Sequence, residues 1–212
     1  MAIKTTIAAG LVILAGPLAA AAQDVLVLGG GKLDLTFPPD GATQELGLYA
    51  EVERAGIYGG VLGLVSNDQT ANKIELYAGY RAETDAGFRY DLSYSRFIYP
   101  NDGGDCCGEM ALSFGQLIRD KINLTTELTY DPAASLGSIE LGAEFAATDA
   151  LAISTNYQFS QLAPGDAEKT WDIGVGYDLT DTTSIDLRYN GGVVTPGYFG
   201  ISASFETSLL GG

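Results

Sequence analysis

The side chains best suited to chemistry in this sequence are carboxylates, and they come without the partner that most hydrolases need. The 212 residues include 27 Asp and Glu, 11 Lys and Arg, and no histidine. This excludes Ser-His-Asp and Cys-His hydrolases and disfavours most zinc hydrolases. Glu140 and Glu144 could in principle act as an acid–base pair, but on one face of a strand they are more simply two wall-lining carboxylates. We therefore expect no enzymatic activity and no cofactor.

Cys106 and Cys107 are adjacent and are the only cysteines in the sequence. In an exported protein they could form a disulfide, cross-link the chain to a partner, or have no dedicated role. The preceding segment 101–105, Asn-Asp-Gly-Gly-Asp, carries carboxylates of the kind that bind Ca²⁺. The local sequence does not supply the remaining ligands, so we expect a solvated loop and no metal site.

The first 22 residues have the pattern of a cleaved secretory signal peptide. Lys4 supplies the positive charge, an apolar run follows over 5–18, and small residues at 20–22 match an A-x-A cleavage site. The run is too short to span a membrane as a helix. The sequence thus divides into a signal peptide, 1–22, and a single exported domain, 23–212.

The exported domain is built from short stretches in which apolar and polar residues alternate. In the clearest stretch, Ile122, Leu124, Leu128 and Tyr130 share one face, whereas Glu127 lies on the other. A period of two indicates a strand with two unlike faces. Such stretches predict strands at about 25–36, 44–53, 56–66, 73–83, 87–98, 109–118, 121–130, 137–146, 150–160, 169–179, 183–190 and 197–206. The first is interrupted by glycines at 29–31 and could begin only at Lys32.

The connectors between these strands alternate between short and long. Short turns are predicted at 54–55, 84–86, 119–120, 148–149 and 181–182, and longer Pro-, Gly- and Asn-rich loops at 37–43, 67–72, 99–108, 131–136, 161–168 and 191–196. Outer-membrane barrels have short periplasmic turns and longer outside loops. We therefore predict an all-β, single, antiparallel up-and-down transmembrane β-barrel of about 12 strands, with 10 as the alternative. Its place is the outer membrane of a Gram-negative bacterium, with both termini in the periplasm.

Strand parity assigns residues to the two faces of this barrel. Aromatic residues at the ends of the outward sets are predicted to lie at the membrane interfaces: Phe88, Tyr130, Phe145, Phe159, Trp171 and Tyr177. The charged residues of the inward sets are predicted to line the lumen and are candidates for selectivity: Glu75, Arg81, Arg89, Glu127, Glu140, Glu144, Asp172, Asp186 and Arg188. Arg96 breaks the pattern because it has outward parity. It either extends to the headgroups or is turned inward by a β-bulge after Tyr94.

Part of the sequence resembles a known family. The segments 56–67, 74–80 and 88–94, the Ile98-Tyr99-Pro100 that follows, and Glu109 after the next loop resemble the proteobacterial Gcw_chp family of outer-membrane proteins. The resemblance implies a β-barrel and an outer-membrane location, and it implies no activity or binding residues. The family's opening strand has no match at 25–45, and the Cys106-Cys107 pair is not typical of the family.

Charge and architecture together indicate what the barrel does. A formal net charge of −16 argues against nucleic acid as a partner, since phosphate binding needs clustered Lys and Arg. The expected partners are outer-membrane lipid and, during insertion, the barrel-assembly machinery; the oligomeric state is not indicated. The acidic lumen predicts a small, cation-leaning pore or facilitator for small solutes. The alternative is a closed structural or surface-interaction barrel without transport activity.

Overall fold

The computed structural model describes residues 25–163, 166–193 and 196–210. The predicted signal peptide, 1–22, lies outside these residues. The described part of the chain forms twelve strands and one short 3-10 helix, Gln69–Ala71. The strands are Leu26–Phe37 (β1), Thr43–Arg54 (β2), Ile57–Ser66 (β3), Lys73–Glu83 (β4), Phe88–Tyr99 (β5), Gly104–Ile118 (β6), Ile122–Asp131 (β7), Leu136–Ala146 (β8), Leu151–Ala163 (β9), Asp166–Thr180 (β10), Thr183–Gly192 (β11) and Tyr198–Leu210 (β12).

Each strand pairs antiparallel with the next strand in the chain, and β1 pairs with β12 to close the barrel. The predicted all-β, twelve-stranded, up-and-down barrel is confirmed, and the ten-stranded alternative is wrong. We call the end of the barrel that carries the 54–57, 83–88, 118–122, 146–151 and 180–183 connections the turn side. The opposite end is the loop side. No helix among the described residues has the length and apolar character that crossing a membrane requires.

The barrel carries its apolar residues on the outside. Along β2, exposed Leu46, Leu48 and Val52 alternate with the half-buried or buried Glu45 and Glu51. The same alternation runs through β4, β7, β9 and β12. Among the described residues, Tyr58 is the only hydrophobic residue that is buried, at 8 % exposure. The described residues therefore form no conventional apolar core, and their large apolar side chains are exposed on the outer surface of the barrel.

The predicted alternation of short and long connectors is only partly right. The β2–β3 turn is short because Ala55 and Gly56 both adopt left-handed backbone angles (φ 51° and 81°), as a tight hairpin turn requires. On the loop side, however, β6 begins at Gly104 rather than at 109, and the ladder between β9 and β10 continues until Ala163 pairs with Asp166. Much of the chain predicted to be loop at 99–108 and 161–168 is therefore extended hairpin. Polar, turn-forming residues lowered the apparent strand content there, although the backbone ladder continues.

The glycines of β1 do not interrupt it. The strand begins at Leu26, and Gly29, Gly30 and Gly31 pair on one side with β2 and on the other with β12. A Cβ on Gly30 would lie 2.6 Å from the Tyr49 ring, and one on Gly31 would lie 2.7 Å from Leu48. Large side chains of β2 occupy the space that these glycines leave free. The alternative start of β1 at Lys32 is therefore wrong. Side chains of the neighbouring strand pack over these glycines, and the glycines belong to the regular ladder.

Arg96 stays on the outer face, and the β-bulge expected after Tyr94 is absent from β5. The bulge lies instead on the facing strand, where Phe97 pairs with Cys107 and Ile98 with Asp105, which leaves Cys106 unpaired. This extra residue brings Asp105 to the outer face, where its carboxylate lies 2.6 and 2.7 Å from the Arg96 guanidinium. The outward arginine is thus neutralised by an acid that strand parity alone would not place beside it.

Gly60 on β3 offers a test of the packing between glycines and tyrosines. A Cβ at Gly60 would lie 2.4 Å from the Tyr77 hydroxyl and 2.7 Å from the Ala50 carbonyl oxygen. We expect Gly60→Val to lower the free energy of unfolding by about 1–3 kcal/mol, the usual cost of overpacking. Urea titration of the detergent-folded protein, with folding followed by heat-modifiable gel migration, measures this change.

Gly63→Val is the matched control because it lies on the same strand with nothing within 4 Å of an added Cβ. We expect this substitution to be neutral or slightly stabilising, since valine favours strands. Equal losses of stability in both variants would contradict the packing argument.

Candidate functional site

The candidate site is the interior of the barrel. The structure places all nine predicted lumen-lining residues on the inner face: Glu75, Arg81, Arg89, Glu127, Glu140, Glu144, Asp172, Asp186 and Arg188. Further inner-face acids include Asp34, Glu45, Glu51, Glu53, Asp91, Glu109 and Glu206, and the further inner-face cations are Lys32 and Lys73. Acidic side chains outnumber basic ones on this face, so the inner face carries a net negative charge.

Arg81 is the centre of a polar cluster on the inner wall formed by β2–β5. Its guanidinium makes an ion pair with Glu51, whose residue exposure is 5 %, and its Nε lies 3.1 Å from the Glu53 carboxylate. The guanidinium carbon also lies 3.9 Å from the centre of the Tyr58 ring. The Tyr58 hydroxyl donates to Asp91 at 2.5 Å. We call Arg81, Glu51, Glu53, Tyr58 and Asp91 the Arg81 cluster; it lies towards the turn side and links four strands.

Three inner-face tyrosines fit against glycines of the adjacent strands. Tyr49 covers Gly30, and Tyr77 covers Gly60. Tyr58 covers Gly79, where an added Cβ would lie 2.5 Å from the tyrosine hydroxyl. The three strands that carry these tyrosines are consecutive, and the Tyr58 and Tyr77 ring centres are 6.2 Å apart. The tyrosines therefore lie flat along the wall instead of crossing the lumen.

Arg188 forms a second cluster on the opposite part of the wall. Its guanidinium makes ion pairs with Asp172 and Asp186, and it donates to the Ser154 hydroxyl at 2.7 Å. Asp172 also accepts from the Asn156 amide at 3.0 Å. Gly174 on β10 leaves the space, since an added Cβ there would lie 2.8 Å from the arginine. Asp172 and Asp186 are thus compensated by Arg188.

Other inner carboxylates have no such compensation. Within the described ranges, Glu109, Glu140 and Glu144 take part in no ion pair. Glu127 accepts a hydrogen bond from Ser113 at 2.9 Å and also lacks an ion pair there. These residues lie on β6, β7 and β8, and Glu127 pairs directly with Glu140 across the ladder. This part of the wall is therefore negative, because its acids face one another and the lumen.

The inner wall is also uneven in side-chain size. From β8 to β12 it presents mostly small residues: Gly142, Ser154, Asn156, Gly174, Gly176, Ser184, Gly200, Ser202 and Ser204. From β2 to β5 it presents larger side chains, with tyrosines, leucines and phenylalanine beside the charged residues of the Arg81 cluster. Between its charged groups, the β8–β12 wall therefore carries smaller side chains than the β2–β5 wall does.

The predicted interface aromatics all lie on the outer face and are 37–47 % exposed. Phe88 begins β5, and Phe145 and Tyr177 lie near the ends of β8 and β10, so these three are on the turn side. Tyr130, Phe159 and Trp171 lie towards the loop side. Three of these aromatic residues therefore lie towards each end of the outer face, and their place at the membrane interfaces stays a prediction.

Cys106 and Cys107 are joined by a disulfide at the bulge of β6, near the loop side and away from the charged clusters. In the part of the chain that the structure describes, no group of three His, Cys, Asp or Glu residues is arranged to hold a metal ion. The 101–105 segment connects β5 and β6 and opens β6, and Asp105 is paired with Arg96. The groups that the site offers to a solute are therefore the charged and aromatic side chains of the inner face.

Sequence reasoning missed several members of the Arg81 cluster. Glu51 and Glu53 could have been found, since they alternate with the outward Val52 on β2. Tyr58 gave no signal because its strand reads Ile-Tyr-Gly-Gly-Val-Leu-Gly, without polar alternation. Its role depends on contacts with Arg81 and Asp91, which lie 23 and 33 positions further along the chain.

The barrel is similar to solved structures of porins. A structure of KdgM porin superposes with a TM-score of 0.65 at 9 % identity, covering 84 % of this chain and 98 % of that chain. KdgM porin in complex with disordered oligogalacturonate gives a TM-score of 0.63 at 10 % identity, with 84 % and 98 % covered. NanC porin gives 0.60 at 11 % identity, with 87 % and 100 % covered. At these identities the likeness shows a shared fold.

No family model matches the chain, and no curated protein matches it. The resemblance of 56–110 to Gcw_chp proteins therefore stays a prediction.

The Tyr58–Asp91 hydrogen bond tests whether the Arg81 cluster stabilises the wall. We expect Tyr58→Phe to lower the free energy of unfolding by about 1–2 kcal/mol, because it leaves a half-buried carboxylate without its donor. Urea titration in detergent micelles measures the loss. Tyr80→Phe is the control, since Tyr80 is 44 % exposed on the outer face. Equal losses of unfolding free energy in Tyr58→Phe and Tyr80→Phe would show that the Arg81 cluster does not stabilise the wall.

Proposed function

We propose that this protein is a small, cation-leaning pore or facilitator in a bacterial outer membrane. The observation that carries the proposal is the inverted polarity of the barrel, apolar outside and charged inside. A closed barrel leaves no backbone group unpaired at an edge, which hydrocarbon requires, and an apolar band between aromatic rings suits a bilayer. Twelve strands enclose more space than the eight-stranded barrels that side chains can fill.

The arrangement of inner charges supports a preference for cations. The three inner arginines lie close to polar partners, Arg81 and Arg188 in ion pairs and Arg89 in a hydrogen bond to Asn123. The acids of β6–β8 are among the inner carboxylates that take part in no ion pair within the described ranges. A water-filled path beside them would therefore carry a negative potential, which concentrates cations and repels anions.

The solved KdgM complex provides a contrast. It contains oligogalacturonate, whose uronate rings each carry a carboxylate. An acidic lumen such as this one repels a polyanion, so a similar fold does not support a similar solute here. Small cations and neutral solutes are the better candidates.

The rival function is a closed barrel that serves as a structural or surface-interaction protein. The Arg81 cluster favours this function, since its side chains contact one another across the turn-side wall of β2–β5. The small residues of the β8–β12 wall favour an open path. The orientation proposed for the barrel puts the turn side and both termini in the periplasm, with residues 1–22 removed as a signal peptide.

Planar-bilayer recording separates the two functions. Protein shown to be folded by heat-modifiable migration is expected to give discrete conductance steps, with a reversal potential that indicates cation preference in a KCl gradient. A folded protein that never conducts would end the pore proposal in favour of the closed barrel.

Neutralising Glu140 and Glu144 together should weaken the cation preference. Glu140→Gln/Glu144→Gln removes two uncompensated carboxylates from the lumen wall with little change in shape, so the reversal potential is expected to move towards zero at unchanged fold. Asp85→Asn/Asp181→Asn is the matched control, because it removes the same charge from turns outside the wall. An unchanged reversal potential in the Glu variant would refute the role assigned to these residues.

The membrane location predicts a large difference between the two faces of one hairpin. Leu141 on β8 is 49 % exposed on the outer face, so Leu141→Arg is expected to cost about 2–4 kcal/mol of folding free energy in lipid vesicles. Gln158→Arg places the same charge on the inner face, opposite Glu140, and should cost far less. Urea titration in vesicles measures both, and equal costs would argue against lipid on the outer face.

A further inference from the structure

One wall of the lumen carries a series of aromatic side chains. Tyr99 and Phe97 lie at the loop-side end of β5, Tyr77 and Tyr49 lie near the middle of β4 and β2, and Tyr58 lies at the turn-side end of β3. All have inner parity, and they belong to four consecutive strands. We call these five residues the aromatic wall. It extends along most of the barrel's length, whereas the opposite wall combines small polar residues with the Arg188 cluster.

A cationic side chain already occupies each end of the aromatic wall. At the loop side, the Lys73 ammonium lies 4.9 Å from the centre of the Phe97 ring and 3.4 Å from the Glu75 carboxylate. At the turn side, the Arg81 guanidinium lies 3.9 Å from the Tyr58 ring centre and is paired with Glu51 and Glu53. At each end, the positive group contacts both the face of an aromatic ring and at least one carboxylate. The protein's own side chains thus show which chemistry this wall accepts.

We propose that the lumen binds and passes small organic cations with a planar or apolar body, such as guanidinium and aromatic ammonium compounds. This inference rests on the proposed pore function and names its solute class. The aromatic wall attracts both the positive charge and the apolar part of such a solute. The uncompensated carboxylates of β6–β8 attract the charge from another side.

Hydration explains why organic cations are favoured over K⁺. A guanidinium ion is planar and weakly hydrated, so it loses little water when it lies on a ring face. An inorganic cation keeps its hydration shell in a polar lumen and gains mainly the long-range attraction of the carboxylates. The aromatic wall therefore distinguishes two kinds of cation that the carboxylates treat alike.

Charge is required as well as a ring face. A neutral ring-shaped solute could pack on the aromatic wall, but it would leave the carboxylates of β6–β8 unmatched. The two native occupants, Lys73 and Arg81, are both positive. The cation is therefore the better match to the lumen.

Bi-ionic recording in planar bilayers tests the inference. With KCl on one side and guanidinium chloride on the other, the wild-type protein is expected to show a guanidinium-to-potassium permeability ratio above the ratio of their mobilities in water. Phenylguanidinium is expected to cause resolvable blocking events. Phe97→Leu and Tyr77→Leu keep an apolar side chain but remove the ring face, so each should reduce the permeability ratio by roughly two- to fivefold.

Two variants serve as controls. Tyr77→Phe keeps the ring and should retain the wild-type ratio, which separates the ring face from the hydroxyl group. Tyr94→Leu removes an aromatic residue of β5 that is 45 % exposed on the outer face, and it should change nothing. Each variant is first shown to be folded by heat-modifiable migration.

The outcomes separate this inference from the function on which it rests. A folded wild-type protein without conductance overturns both. Cation-selective conductance with the same permeability ratio in Phe97→Leu, Tyr77→Leu and wild type overturns the inference and leaves the pore standing. Blocking by a neutral phenyl glycoside as long-lived as blocking by phenylguanidinium overturns the requirement for charge.

Discussion

The ladder between β1 and β12, which runs from Leu28 with Ser208 to Phe37 with Phe199, closes the sheet. With this pairing every strand has two neighbours, and no row of backbone donors and acceptors is left at an edge. The backbone N–H and C=O groups of the strands then form hydrogen bonds with one another and need no solvent. The two faces of the sheet can therefore carry side chains of different polarity. Because each strand alternates its side chains, closure converts a local period of two into an apolar outer face and a charged interior. The site follows from this separation, since charges excluded from the outer face collect inside.

The same alternation explains how much could be predicted from the sequence. Parity depends only on neighbouring residues, so it predicted a face for Glu140, Arg188 and the other charged residues of the strands, and it predicted twelve strands, which the strand pairing confirms. It failed where structure depends on partners distant in sequence. The glycines at 29–31 looked like an interruption because Tyr49 and Leu48, which fill their space, belong to another strand. Arg96 looked like an exception because the bulge that brings Asp105 to it is on the facing strand.

Loop prediction failed for a related reason. Residues 161–168 contain Pro, Gly and Asp, which favour turns. Yet Ala167 pairs with Gln161, and the hairpin continues beyond them to Ala163 and Asp166. Once two strands are in register, each further pair adds backbone hydrogen bonds without the cost of closing a new loop, so polar residues can continue a ladder that they would not begin. The composition of a segment describes that segment alone, whereas the length of a strand depends on its pairing with the neighbouring strand.

Compensation of charge divides the interior into walls with different properties. Arg81 and Arg188 each form ion pairs with two acids. The carboxylates cancel the positive potential of each arginine, so little of it remains to attract an anion. The acids of β6–β8 face each other without such partners. An aromatic ring attracts a cation without carrying net charge. It therefore changes neither the arginine–carboxylate pairs nor the negative charge of the β6–β8 acids. The wall at Phe97, Tyr77 and Tyr58 can therefore add attraction for organic cations without weakening the negative field, and the two effects can act on the same solute.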